Sequence, residues 1–193
     1  MKTIASIVLL ILFSTKSMSQ ITKGNWLIGG NASASFQKSR GQSTIVADVN
    51  TLDIQSNVGY FVKHKLAVGV IVNSQLNYTK YPQSDGSINK DWRNSMGVGP
   101  FVRYYFLNTE SRVNIFSAAN FQYTFNWDKA SFTSAHSYNA SFYEISGGAV
   151  IFLNTSVGAE VSVGYNKRSY SDFDSKLENI GLRIGFQIHL EKE

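Results

Sequence analysis

The chain of 193 residues has no cysteine, two prolines and three histidines. Without cysteine there are no disulfides, no thiolate metal sites and no acceptor for the lipid of a bacterial lipoprotein. His64 falls in a tight turn, His136 in a polar stretch and His189 near the end of a strand, so they offer no metal-ligand spacing. Of the prolines, Pro82 falls in a polar loop. Pro100 lies inside a strand, where its missing N–H predicts a bulge or local break. No segment beyond residue 19 approaches the roughly eighteen apolar residues of a membrane-spanning helix. That absence does not exclude a membrane protein, because a spanning strand needs only about 9–11 alternating residues.

The start of the chain reads as a leader. Lys2 gives it a positive charge, Ile4 to Phe13 is apolar but for Ser6, and Ser17-Met18-Ser19 places small residues before Gln20. This is the pattern of a cleavable secretory signal peptide over 1–19. The remaining 20–193 forms one domain. Removing Lys2 and Lys16 takes the basic residues from 18 to 16 against 13 acids, so the net charge falls from +5 to +3 and points weakly to partners. An exported chain without cysteine suggests a bacterial envelope protein.

What the chain has in abundance is alternation of period two, the signature of strands with one apolar face. Leu52, Ile54, Val58, Tyr60 and Val62 alternate with Asp53, Gln55, Asn57 and Gly59. After the turn Lys63-His64-Lys65 the apolar phase continues on Leu66, Val68, Val70, Val72, Leu76 and Tyr78. The same pattern marks strands over 24–36, 95–106, 114–127, 139–153, 156–166 and 179–190, with Leu27 a misfit in the first. Short turns alternate with long polar loops at 37–50, 80–93, 128–137 and 167–178. Eight antiparallel strands joined in this way predict an up-and-down barrel.

Lipid or a protein core could cover the apolar face. A soluble barrel would expose its polar face to water and fill it with Lys, Glu and Thr. Here that face is mostly Gly, Ser, Asn and Gln, with Asp53, Arg103, Glu144, Glu160 and Arg183 well inside strands. Small residues with a few charges of both signs suit a narrow closed lumen. Aromatics gather near strand ends, with Trp26, Tyr60, Tyr104 and Phe106 on one side and Phe36, Tyr78, Phe125, Trp127, Tyr143 and Tyr165 on the other. Two such girdles fit a lipid-facing surface. The expected fold is therefore all-β: an eight-stranded antiparallel up-and-down transmembrane β-barrel preceded by a cleavable signal peptide.

With NVGYFVKHKLAVGV, GPFVRYYF and IGLRIGFQIHL in view, the mature chain resembles the small bacterial outer-membrane β-barrels of the eight-stranded OmpA/OmpX type. It departs from them at its end, running past the last aromatic residue, Phe186, through His189-Leu190 to Glu191-Lys192-Glu193. The resemblance implies an outer-membrane location, a monomer, contact with outer-membrane lipid and lipopolysaccharide, and delivery by the barrel-assembly machinery. It implies no nucleic-acid partner and no cofactor.

An eight-stranded interior is just wide enough to be filled by side chains. Phe61, Phe101, Tyr105, Phe116 and Phe152 occupy the interior phase near the short turns, predicting an aromatic plug at the periplasmic end. The five lumen charges form a paired network above it, Arg183 with Glu160 on the neighbouring strand and Arg103 with Glu144 or Asp53. An enzyme is not expected. The nearest Ser and His, in Ala135-His136-Ser137-Tyr138 ahead of Glu144, are adjacent in a loop and lack the mutual reach that nucleophilic catalysis needs. Lys38, Arg40, Lys80, Lys90, Arg93, Lys129, Lys167 and Arg168 in the loops could meet lipopolysaccharide phosphates. Three functions stay open. The first is a non-enzymatic barrel with a filled lumen whose long loops serve surface interaction or envelope integrity. The second is a narrow OmpW-like barrel passing a small or hydrophobic solute, with Pro100, Gly147 and Gly148 as places where the wall could part. The third is a secreted soluble ligand-binding barrel.

Overall fold

The computed structural model describes residues 21–40, 46–82, 87–130, 133–170 and 176–191, and the side chains of all of these except 37–40, 46–47, 129–130 and 133–136. The expected leader, 1–19, lies outside them. Eight strands follow in order: β1 (Trp26–Arg40), β2 (Val46–Lys63), β3 (Leu66–Pro82), β4 (Ile88–Tyr105), β5 (Val113–Ala130), β6 (Thr133–Phe152), β7 (Val157–Tyr170) and β8 (Lys176–Leu190). Each pairs antiparallel with its sequence neighbours, and β1 closes on β8.

The short turns are at one end. In the β2–β3 turn Lys65 adopts a left-handed φ of 69°. Asn154 caps the β6–β7 turn by accepting from the N–H groups of Ser156 (2.9 Å) and Val157 (2.7 Å). The segment before β1 folds beneath this end. It bends at Gly24, whose φ of 98° suits a residue without Cβ. The Gly24 N–H donates to the Phe61 carbonyl (3.0 Å), and the Lys65 N–H to that of Ile21 (3.0 Å).

The opposite end differs from the sequence expectation. Most of the stretches 37–50, 80–93, 128–137 and 167–178 are ladder rather than loop, as in the pairs Lys80↔Lys90 and Lys167↔Glu178. Strand pairing uses only backbone groups, so it continues through polar residues once the apolar phase has ended. Pro100 produces a break and no bulge. The β4–β5 ladder skips Gly99 and Pro100 and resumes in the same register, while Pro100 stays paired with Val70 on the β3 side. Gly147 and Gly148 lie in unbroken ladders with both neighbours.

The faces decide between lipid and core. Leu52, Ile54 and Val58 point outward and are 40%, 46% and 47% exposed, whereas Gln55 and Asn57 between them are buried in the lumen. The outward surface is apolar from strand to strand, including Val70, Val98, Ile115, Val161 and Leu182. A continuous apolar belt of this size suits lipid. Edge-to-face pairs of Trp26 with Tyr60 (5.4 Å) and Tyr104 with Phe106 (5.1 Å) stand at the short-turn end of the belt, and Tyr78 against Trp92 (4.4 Å) at the far end. The protein is a transmembrane β-barrel, and the soluble alternative, which needs the apolar face inside, is excluded.

Candidate functional site

The interior is the candidate site, and it has two layers. The floor, at the short-turn end, is apolar. Phe61, Tyr105 and Phe152 are fully buried, joined by Ile21, Leu27, Ala67, Phe116 and Val150, with Phe101 and Ile71 above. His189 is the hub of the rings, 5.6 Å from Phe61, 6.0 Å from Tyr105 and 5.3 Å from Phe152 by centroid. Tyr105 also meets Phe61 at 6.0 Å and Phe116 at 6.1 Å. Phe101 lies flat where β2 and β3 each present a glycine: a Cβ on Gly59 or Gly69 would stand 2.7 or 2.8 Å from its ring.

All five plug residues expected from the sequence are therefore brought to one end. Four others were not anticipated. Leu27, a misfit in the alternation, points inward because β1 starts beside the floor. Ile71 holds an inward position on β3. His189, whose inward phase was visible, stands near the end of β8 as expected and is also packed among the floor's rings. Ile21 precedes β1 and carried no signal, since its place comes from the backbone bond to Lys65.

Above the floor the lumen is polar. The Arg103 guanidinium spans the two layers, lying 3.7 Å over the Phe116 ring and pairing with Glu160 on its other side. Gln187 donates to Glu160 (3.3 Å) and exchanges amide hydrogen bonds with Asn57 (3.3 and 3.4 Å). Higher up, Arg183 pairs with Glu144 at 2.6 Å, and Glu144 also accepts from Asn120 (3.4 Å). These four charged side chains are each 4–6% exposed. Asp53 accepts from Asn73 at 3.0 Å. A cavity of about 40 Å³ remains among Asn31, Gln55, Asn57, Arg103, Glu144 and Arg183.

The ion pairs are the reverse of those expected. Arg183 meets Glu144, not Glu160, and Arg103 meets Glu160, not Glu144 or Asp53. The reason is barrel geometry. Strand stagger and a narrow lumen bring side chains together by height and across the bore, not by sequence neighbourhood. Register sets Glu160 beside Gly185 and Arg183 beside Ser162. Arg183 reaches Glu144, two strands away, by passing over Gly164 of β7, where a Cβ would stand 2.8 Å from its Nη1. Arg103 of β4 reaches Glu160 of β7 across the bore.

The basic residues expected in loops separate. Lys80 lies over the Tyr78 ring (5.4 Å) and Lys167 pairs with Glu178 (2.9 Å) on the outer surface. Arg93 pairs with Asp128 (3.6 Å) at the mouth, and Arg168 lies over Phe142 (5.6 Å). Lys90 is exposed on the outer face. The side chains of Lys38, Arg40, Lys129 and His136 lie outside the described residues, so the Ser137 and His136 pair has no geometry to weigh.

Solved structures share this architecture. Neisserial surface protein A superposes with a TM-score of 0.55 at 15% identity, covering 86% of this chain and 97% of that one. The Pseudomonas aeruginosa outer membrane protein OprG gives 0.53 at 16%, covering 90% and 100%. The N-terminal β-barrel domain of Pseudomonas aeruginosa OprF gives 0.50 at 13%, covering 87% and 98%. No protein-family model and no curated protein matches the sequence. At these identities the likeness is one of architecture, and this chain has the fold of the eight-stranded outer-membrane barrels.

Proposed function

We propose that the protein is a non-enzymatic barrel of the bacterial outer membrane, exported by the leader at 1–19, with a sealed lumen and long extracellular hairpins that serve surface interaction or envelope integrity. The observation that carries the reading is the floor, where Phe61, Tyr105 and Phe152 retain no exposure and Arg103 caps the ring cluster. Phe61, Phe101, Tyr105, Phe116 and Phe152 act in it as the periplasmic seal, and Asp53, Arg103, Glu144, Glu160 and Arg183 act as structural charges that hold the walls together. Outer-membrane lipid, lipopolysaccharide phosphates at Lys80 and Lys90, and the assembly machinery are the partners in this reading. Planar-bilayer recording tests it. The wild type should show no stable open-pore current, and Phe61→Ala/Tyr105→Ala should raise leak. A large steady conductance from the wild type would refute the seal.

A second reading, passage of a small or hydrophobic solute through the wall, is favoured by the ladder gap at Gly99 and Pro100. Uptake into vesicles of a solute that wild type passes and a Pro100→Val variant does not would establish it.

A further inference from the structure

The wall is not closed to the same height everywhere. The β1–β8 ladder starts at Trp26↔Leu190 and stops after seven pairs at Ala32↔Ile184. Both strands continue, β1 to Arg40 along β2 and β8 back to Lys176 along β7. No ladder pair joins them above that point among the described residues. A spanning strand takes about 9–11 residues, so from Trp26 the membrane reaches Phe36 and from Leu190 it reaches Ile180. Residues 33–36 and 180–183 thus present unjoined strand edges at membrane depth, where backbone groups need partners or a water-lined opening.

The lips of this cleft are amphipathic. Outside, Phe36 and Ile180 are 80% and 77% exposed, above Ile145 (67%) and Ile184 (63%) in the closed wall, and Leu182 stands beside them at 62%. Inside, the residues are small and polar: Ser33, Ser35 and Gly181, where a Cβ would meet nothing within 4 Å. The apex adjoins the polar cavity, whose lining includes Asn31 and Arg183. Asp53 is the register partner of Ser33 at this apex, and Gln75 is its partner on the other side. Three acceptor oxygens here have no donor: Asn31 Oδ1, Asp53 Oδ1 and Gln75 Oε1. Donors without acceptors also occur, at Arg183 Nε and Gln55 Nε2, so charge decides. Around the cavity stand three carboxylates, the buried Glu144 and Glu160 and the half-buried Asp53, against two buried guanidiniums, Arg103 and Arg183, leaving one negative charge. Both guanidiniums are committed to the two glutamates. Asp53 has no ion-pair partner among the described residues.

We propose that the open outer half of the β1–β8 seam binds a cationic membrane amphiphile, a long-chain primary amine. Its ammonium seats at Asp53 beside Asn31 and Gln75, and its chain lies along Phe36, Ile180 and Leu182. An ammonium supplies three donors and the missing positive charge, and a phosphate or carboxylate head would add to the excess of negative charge. The site needs no passage through the lumen and stands whether or not the floor is sealed.

The native absence of cysteine makes the test clean. Full-length Gly181→Cys protein in phosphatidylcholine vesicles is treated with a maleimide in the presence of hexadecylamine, hexadecanol or palmitate. Hexadecylamine should slow labelling about tenfold relative to the alcohol, and Asp53→Asn should remove that advantage. Asp53→Glu, which keeps the charge, should retain it, and heat-modifiable migration on gels reports that each variant is folded. Equal protection by amine and alcohol, or protection indifferent to Asp53→Asn, overturns the proposal. The pair Ser35→Cys/Gly181→Cys adds a second check under oxidation. A complete intramolecular bridge means a zipped seam, an intermolecular bridge means a second copy fills it, and either overturns the proposal. Absence of both with amine-specific protection supports it.

Discussion

Below Arg103 the bore is filled by rings in van der Waals contact and the wall is stitched on every side. Above it the bore is filled by amides and ion pairs, and among the described residues the β1–β8 seam carries no ladder pair beyond Ala32↔Ile184. The two halves solve the same problem, a lumen too narrow for bulk water, by different physics. Rings fill volume without needing partners, so the floor tolerates no gap but demands no charge balance. Amides and charges must be matched atom by atom, and the upper half retains a cavity; unmatched polar atoms occur in both halves, Tyr105 Oη in the floor and Asn31 Oδ1 and Gln55 Nε2 above it.

This contrast is open to attack by substitution. The largest loss is expected in the floor. Phe61→Ala or Phe152→Ala removes a fully buried ring from a packed cluster and should cost about 3–5 kcal/mol in urea unfolding from lipid vesicles. A cost under about 1 kcal/mol would mean that the floor repacks like a liquid and the contrast is false. In the upper half Arg183→Met should cost about 3 kcal/mol, the low end for breaking a buried pair, because the adjoining cavity is polar. Adding Glu144→Gln should restore most of that loss, since the penalty comes from the abandoned carboxylate. Additive losses would show that neither partner senses the other.

The smallest effect belongs above the membrane. There the Lys167 ammonium, with the Tyr165 hydroxyl, holds the Glu178 carboxyl below its ordinary range, and Glu178 in turn raises Lys167. A depressed carboxyl stabilises the fold above its unfolded pKa and loses that contribution as pH falls through the folded value. Protection factors for the β7–β8 hairpin amides, which divide out the intrinsic pH dependence of exchange, should therefore fall slightly below about pH 4 and stay level from there to about pH 9. Glu178→Gln should flatten that response.

Much of the wall was legible from residues alone, because a period of two fixes both element and face. The inward placement of Phe61, Phe101 and Tyr105 could be read as apolar residues in the polar phase. Ile71 obeys the same logic, an apolar residue in the inward phase between Val70 and Val72. The partners of Arg103 and Arg183 could not be read. Which charges share a height depends on stagger and on the space over Gly164, neither of which is a property of one strand. The ladder beyond the membrane was hidden for another reason: lipid no longer enforces apolar alternation there, while the backbone goes on pairing. Ile21 left no trace, since two backbone atoms define its position.

That last contact has a mechanical consequence. The chain ahead of β1 is tied to the floor by bonds from Lys65 to Ile21 and from Gly24 to Phe61. Tension on the chain before Ile21 is therefore delivered to the short-turn end of the β2–β3 hairpin and the ring cluster before it reaches β1. The N-terminal segment is a drawbar fixed to the stopper, and a load attached there pulls first on the floor and the end of that hairpin rather than on β1.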